Sequence, residues 1–215
     1  MSKTQIPTGG IADDAISEEH LDATAITGHT ALAAAPAGTD EFLISDGGVL
    51  KRLDASYVGE TNTPNFKVNR SSNQSISHNT RTKIQWNNEV FDADNVFDSS
   101  TNHRFTVPSG KAGVYFFYLQ IMVGSFTGST SNHKFVNAEI DVNGSIVAKS
   151  SEPFHITGGN DFYSRLTTTL NLSASDYVET YIYQDNNDSS AKNVYGDSNN
   201  YYSYFTGFRI SSWVH

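Results

Sequence analysis

The sequence predicts an all-β sandwich head preceded by a short segment too poor in apolar residues to build a core of its own. Three observations lead there. Aromatics are abundant, 13 Phe and 11 Tyr in 215 residues, although hydrophobic residues make up only 37%; strands built on aromatic and β-branched side chains have this balance, Leu-rich helices do not. From about Pro64 onward, short apolar runs alternate with Asn-, Ser- and Gly-rich turns, as in a sandwich or barrel. Residues 1–60 hold Phe42 and Tyr57 as their only aromatics.

The N-terminal segment carries Gly9-Gly10, Gly47-Gly48 and the small-residue run Ala31 to Gly38, too little apolar area for an independent core. Asp13 to Leu21 predicts a short helix with Asp13 or Asp14 as its N-cap, and two turns alone are marginal in water. Glu41 to Ser45, the turn Asp46-Gly47-Gly48 and Val49 to Leu53 predict a β-hairpin, again marginal by itself. The expected division is an extended or helical attachment and stem segment over residues 1–60, ordered by packing against symmetry mates or a larger assembly, and a head over 61–215.

Within the head, Val136, Ala138, Ile140 and Val142 alternate with Asn137, Glu139 and Asp141, the period of a half-buried strand. Leu166, Leu170 and Leu172 repeat that period, as do Val178 and Ile182, with turns at Asn143-Gly144 and Ser175-Asp176. Val114 to Val123 is different, because it is apolar on both faces. One face then belongs to the core and the other to a partner chain, since an uncovered patch of that size invites aggregation.

Charge and motifs narrow the function. With 23 acidic against 14 basic residues the net charge is −9, so the basic footprint of a nucleic-acid-binding protein is missing. No apolar run reaches the roughly 20 residues of a membrane-spanning helix, and the first residues lack the apolar stretch of a signal peptide. A soluble chain without membrane insertion or signal-peptide export is expected. Zero cysteines exclude disulfides and thiolate metal sites. Seven histidines are scattered without a pair at helical ligand spacing, and no Gly-X-Ser-X-Gly elbow or P-loop occurs. Asp92 with Asp94, or Asp185 with Asp188, offer paired carboxylates for glycoside cleavage, but amid Asn and Ser they read more simply as solvated loop residues. No catalytic residue, cofactor or metal site is assigned. The histidine spacing argues against a dedicated zinc site, whereas Asp185-Asn186-Asn187-Asp188-Ser189 is rich in hard oxygen ligands and leaves a structural calcium ion as an alternative to an unoccupied polar loop.

The order Trp86, Asp92, Phe97, Phe105 and then Gly113-Val114-Tyr115-Phe116-Phe117 resembles the signature of the C1q and tumour-necrosis-factor superfamily. Trp stands where Phe is usual, Leu119 where an aromatic is usual, and extra residues precede Phe105 and Gly113. The segment ending in Val142-Asn143-Gly144, Leu170 to Val178, and Tyr204 to Ile210 keep the family's order, so the resemblance spans about 66–215. It implies a ten-stranded jelly roll that trimerises through an aromatic-rich sheet, with Tyr115, Phe117, Leu119, Tyr204 and Phe208 as interface or core residues. Residues 11–54 are similar, more loosely, to segments of marine bacteriophage tail-fibre and other structural proteins.

The expectation that follows is a non-enzymatic, homotrimeric phage structural protein on the tail or capsid surface of the virion, assembled in the host cytoplasm. Residues 1–60 would contact other virion proteins. The head would bind a host-surface glycan or protein receptor, for which the Tyr-, Asn- and Ser-rich loop holding Tyr195, Asp197, Asn199, Tyr201 and Tyr202 is the candidate. Ser125 to His133 is a second, weaker loop candidate. The alternatives are a purely architectural capsid or tail decoration protein, and a glycan-cleaving depolymerase.

Overall fold

A computed structural model describes residues 27–32, 36–58, 62–126, 134–154, 160–186, 189–199 and 201–212. The chain divides into two units, 1–60 and 61–215. In the first, β1 (Glu41–Asp46) pairs antiparallel with β2 (Val49–Asp54). The connection is Gly47-Gly48, at φ 61° and 82°, the left-handed conformation of a two-residue hairpin turn that glycine adopts without strain. Asp54 then accepts a 2.8 Å hydrogen bond from the Ser56 N–H and caps a 3-10 turn, Ala55–Tyr57. Leu43, Val49 and Leu50 stay exposed. The expected helix from Asp13 to Leu21 lies outside the described residues.

The second unit is a jelly-roll sandwich. Its strands are β3 (Asn65–Asn69), β4 (Gln74–Ile76), β5 (Thr82–Lys83), β6 (Asn88–Asp92), β7 (Phe97–Asp98), β8 (Arg104–Thr106) and β9 (Gly113–Phe126), followed by β10 (Lys134–Val142), β11 (Ser145–Phe154), β12 (Asn160–Leu172), β13 (Tyr177–Asp185), β14 (Lys192–Val194) and β15 (Tyr204–Ser212). One sheet runs β12-β9-β15-β3-β6, with β14 and β4 continuing along the upper part of β9; the other runs β11-β10-β13-β8-β7, with β5 added beside β13. Every pairing is antiparallel. The last strand, β15, sits between β9 and β3, the non-consecutive pairing that wraps the chain into two facing sheets.

Alternation along β9 fills the core. Tyr115, Phe117, Leu119, Ile121 and Val123 point inward and are fully buried, as strand geometry requires of residues two apart. Phe205 from β15 stacks on Phe117 with ring centroids 5.7 Å apart, and Phe66 from β3 meets Phe205 edge-on at 5.2 Å and stacks on Phe105 at 5.1 Å. The residues that carried the C1q resemblance are therefore structural. Trp86, Phe97, Phe105, Tyr115 and Phe117 all lie in this one cluster. Trp86 donates its indole N–H to Thr180 Oγ1 at 2.8 Å, and Asp92 accepts from the backbone N–H groups of Val96 and Phe97 at 3.0 and 2.8 Å. Asp92 thus shapes the turn before β7.

β10 departs from expectation. Its inward residues Val136, Ala138 and Ile140 are buried as predicted, but so are the polar residues on the other face, Asn137, Glu139 and Asp141, at 5%, 2% and 1% exposure. The strand is buried on both sides rather than on one, because the Arg81, Lys149 and Tyr181 side chains lie over its outer face.

Gly207 makes the β9–β15 packing possible. A Cβ there would sit 2.6 Å from Phe117 Cδ1 and 3.0 Å from Phe66 Cε1, inside contact distance of two rings that have nowhere to go. Gly207→Ala is expected to lower stability by about 1–3 kcal/mol, read as an earlier midpoint in urea unfolding; an unchanged midpoint contradicts the packing described.

Candidate functional site

The outer face of the β12-β9-β15-β3-β6 sheet is aromatic and open. The residues of β9 that alternate with the core ones, Val114, Phe116 and Tyr118, are half-buried. Phe116 lies opposite Phe208 of β15 with ring centroids 5.3 Å apart, and Tyr118 stacks on Tyr204 at 5.5 Å. Lys67 of β3 places its ammonium 4.5 Å from the Tyr204 ring centroid. Ile210 and Phe91 extend the patch, exposed by 53% and 47%. For a water-facing sheet this is an unusual run of apolar surface.

Further along β9 the same face is closed by the loop from Tyr195 to Ser203. The Tyr195 N–H donates to Met122 O at 2.9 Å, and the Met122 N–H donates to Ser203 Oγ at 3.0 Å. Gln120 sits at the boundary: its Nε2 donates to the carbonyls of Tyr201 and Tyr202, while its Oε1 accepts from Arg165 Nε at 2.9 Å and from the Tyr118 hydroxyl at 3.2 Å. Gln120 and Met122 are consequently buried, although nothing in an apolar reading of Val114 to Val123 calls for a loop above them.

Asp197 organises that loop. Its carboxylate accepts from the N–H groups of Asn199, Tyr201 and Tyr202, and its own N–H donates to Arg70 O at 2.9 Å. Arg70 is buried beneath, donating to the carbonyls of Ser72, Asn73 and Gln85; burial pulls its guanidinium below the ordinary value. On this base Tyr201 stands 70% exposed and Tyr202 39% exposed, with the Tyr195 and Tyr202 rings 6.3 Å apart. A loop stitched at both ends and carrying exposed tyrosines loses little conformational entropy on binding.

The other sheet carries the concentrated charge. On its outer face Arg81 Nε donates to Glu139 Oε2 at 2.5 Å and Nη2 to both Asp141 oxygens at 2.6 and 2.7 Å, with the guanidinium 3.6 Å above the Tyr181 ring. Lys149 reaches Glu139 at 3.0 Å and Lys83 reaches Glu179 at 2.6 Å. Burial alone would raise the Glu139 carboxyl, but the hydrogen bonds from Arg81 and Lys149 outweigh it and hold the group below its ordinary value. Burial, with the Glu179 carboxylate beside it, pushes the Tyr181 hydroxyl up to about 12.

The structure sorts the sequence-predicted residues by strand face. Tyr115, Phe117 and Leu119 belong to the single-chain core, whereas Tyr204 and Phe208 lie on the open aromatic face. Tyr195, Asp197, Asn199, Tyr201 and Tyr202 come together in the one loop, with Asp197 turned inward as its organiser rather than outward. Phe116 and Tyr118 were missed as surface residues, and so was the Arg81 cluster. The missing signal was alternation: once Phe117 is inside, its neighbours face out. Residues 127–133 of the second loop candidate, and Asn187 and Asp188 of the oxygen-rich loop, are outside the described residues. Among the described residues no group of three or more His, Asp or Glu is placed to hold a metal ion.

No protein-family model matches the sequence, and no characterised protein does. Among solved structures the chain is similar to the globular domain of zebrafish complement 1qA protein, at 16% identity and a TM-score of 0.46, over 70% of this chain and 100% of that one. Among the described residues the head is a jelly roll of thirteen strands, β3 to β15, in two facing antiparallel sheets of seven and six, rather than the ten strands that the resemblance implies.

The Arg81 cluster sets the acid sensitivity of the head. Glu139 stays ionised in the fold at a pH where the unfolded chain has already bound a proton, so its contribution is complete above its ordinary value of 4.5 and lost as pH falls through the depressed one. Arg81→Met strands the buried carboxylate of Asp141 and leaves Glu139 with Lys149 alone, and is expected to cost about 3 kcal/mol at pH 7. That cost shrinks toward pH 3, as Glu139 takes up a proton and its charge no longer needs Arg81. Urea unfolding of the variant and the parent at both pH values checks this; equal loss at the two contradicts it.

Proposed function

We propose that this chain is a non-enzymatic, homotrimeric structural protein of a virion, whose head displays a host-surface binding loop and whose residues 1–60 attach it to the particle. The observation that carries the reading is the open aromatic face, where Phe116 with Phe208 and Tyr118 with Tyr204 lie side by side at the surface of a chain otherwise rich in Asn and Ser. Three copies burying this face remove it from water, and aromatic side chains are the residues that interface cores favour.

The remaining parts of the proposal have their own support. The resemblance of residues 11–54 to phage structural proteins supports the virion setting, and the exposed Leu43, Val49 and Leu50 on a two-stranded hairpin fit a segment that is completed by other chains. The Tyr201 and Tyr202 side chains on a pre-ordered loop support recognition over architecture alone. A trimer multiplies such a site threefold, so weak individual contacts become durable attachment through effective concentration. The loop's carboxylate, Asp197, is engaged by three backbone N–H groups in shaping it, which supports binding without chemistry.

Sedimentation velocity tests the proposal. The full chain is expected to sediment as a species about three times its 23.6 kDa mass, and Phe116→Asp with Phe208→Asp is expected to give a folded monomer, since neither side chain belongs to the core cluster. A parent protein that remains monomeric at tens of micromolar overturns the trimer. A stable trimer that binds no glycan or cell-surface protein, with Tyr201→Ala indistinguishable from the parent, leaves the architectural role in its place.

A further inference from the structure

The outer face of β10, β11 and β13 holds a cleft that none of the roles above uses. Its volume is about 440 Å³, within the roughly 300–1,000 Å³ typical of small-ligand sites. Asn137 lines it and is 5% exposed, yet its Oδ1 has no hydrogen-bond partner among the described residues. A buried amide oxygen left unpaired costs on the order of 1–3 kcal/mol, so it is a feature that asks for a donor. One side of the cleft is apolar: Phe135 and Tyr183 stack with ring centroids 5.7 Å apart, and the half-exposed Ile146 lies across from them on β11. The Tyr183 hydroxyl is tied to Asn79 Oδ1 at 2.8 Å, which fixes that ring. The other side is charged, with Arg81, Lys149 and Glu139 in its wall, and each cation is already paired: Arg81 with Glu139 and with Asp141 behind the wall, Lys149 with Glu139.

We propose that this cleft binds a neutral saccharide, with the Asn137 amide at its floor and the Phe135, Tyr183 and Ile146 side chains as its apolar wall. A sugar ring presents C–H groups on one face and hydroxyls around its edge, which matches apolar and polar walls in one pocket. A hydroxyl both donates and accepts, so one ligand can satisfy the Asn137 oxygen and also accept from the ammonium of Lys149, whose side chain is 45% exposed and which has N–H groups beyond its contact with Glu139. Because both cations are already held by carboxylates, neither is left bare to attract a uronic acid, and the one carboxylate in the wall is likewise engaged against an amine. The cleft is formed by one chain and lies on the sheet opposite the open aromatic face, so it requires neither the trimer nor the Tyr201 loop.

Saturation-transfer NMR on the full chain tests the site, with neutral hexoses and N-acetylhexosamines, hexuronic acids and a short capped peptide as probes. The expected result is saturable transfer to at least one neutral sugar. Asn137→Leu should weaken it about tenfold, the loss of one buried hydrogen bond, without lowering the melting temperature. Ile146→Asp, at a half-exposed rim position, should weaken it as well and serves if the first variant fails to fold. Tyr201→Ala should leave it unchanged, which separates this cleft from the loop. The proposal is overturned if no neutral sugar binds, if uronic acids or the peptide bind in preference, or if binding survives both cleft variants.

Discussion

The period of two along β9 governs most of what this molecule is. Because successive side chains of a strand point to opposite sides, the run Val114 to Val123 is divided into two surfaces with different duties. Tyr115, Phe117, Leu119 and Ile121 interlock with Phe66, Phe105 and Phe205 and give the single chain its core. That arrangement depends on β15 lying beside β9 with Gly207 opposite Phe117, so that no side chain separates the rings. Shifting the register by one residue would exchange the two surfaces and leave the core without its rings.

The outer surface is partitioned in turn, and Gln120 marks the boundary. Beyond it, the loop ending at Ser203 supplies hydrogen-bond partners and buries Met122 within the chain; before it, Phe116, Tyr118, Tyr204 and Phe208 stay at the surface. Gln120 binds the loop through its amide nitrogen and Tyr118 and Arg165 through its oxygen, so the tyrosine loop is fixed directly to the aromatic face. Association through that face would therefore set the positions of three recognition loops relative to one another. On the opposite sheet a charged lid, Arg81 with Lys149, takes the place that a partner chain takes in this account.

The sequence was informative where physics acts locally. Alternation of apolar and polar residues located β10, β12 and β13, and Asp46-Gly47-Gly48 located the hairpin turn, because each depends only on neighbours in the chain. Val114 to Val123 was recognised as two-faced, but which residues faced inward was ambiguous: both sets are aromatic or aliphatic, so periodicity could not rank Phe116 against Phe117. The burial of Asn137, Glu139 and Asp141 was hidden for another reason. It depends on Arg81, 58 and 60 residues away from Glu139 and Asp141, and no pattern within a strand reports a partner so distant. Tyr201 and Tyr202 were found as surface residues from composition alone, whereas the inward role of Asp197 needed coordinates.

Oxidative footprinting by mass spectrometry tests the central claim most directly, since it reads each side chain's contact with water in the intact protein. Phe117 is expected to be protected at any concentration, because its cover is its own chain. Phe116, Tyr118 and Phe208 are expected to be protected in the associated protein and to become labelled on dilution, with Tyr201, exposed throughout, as the reference. If Phe116 and Phe208 are labelled as readily in concentrated as in dilute solution, the open aromatic face has no partner and the division of β9 into a folding surface and an association surface is wrong.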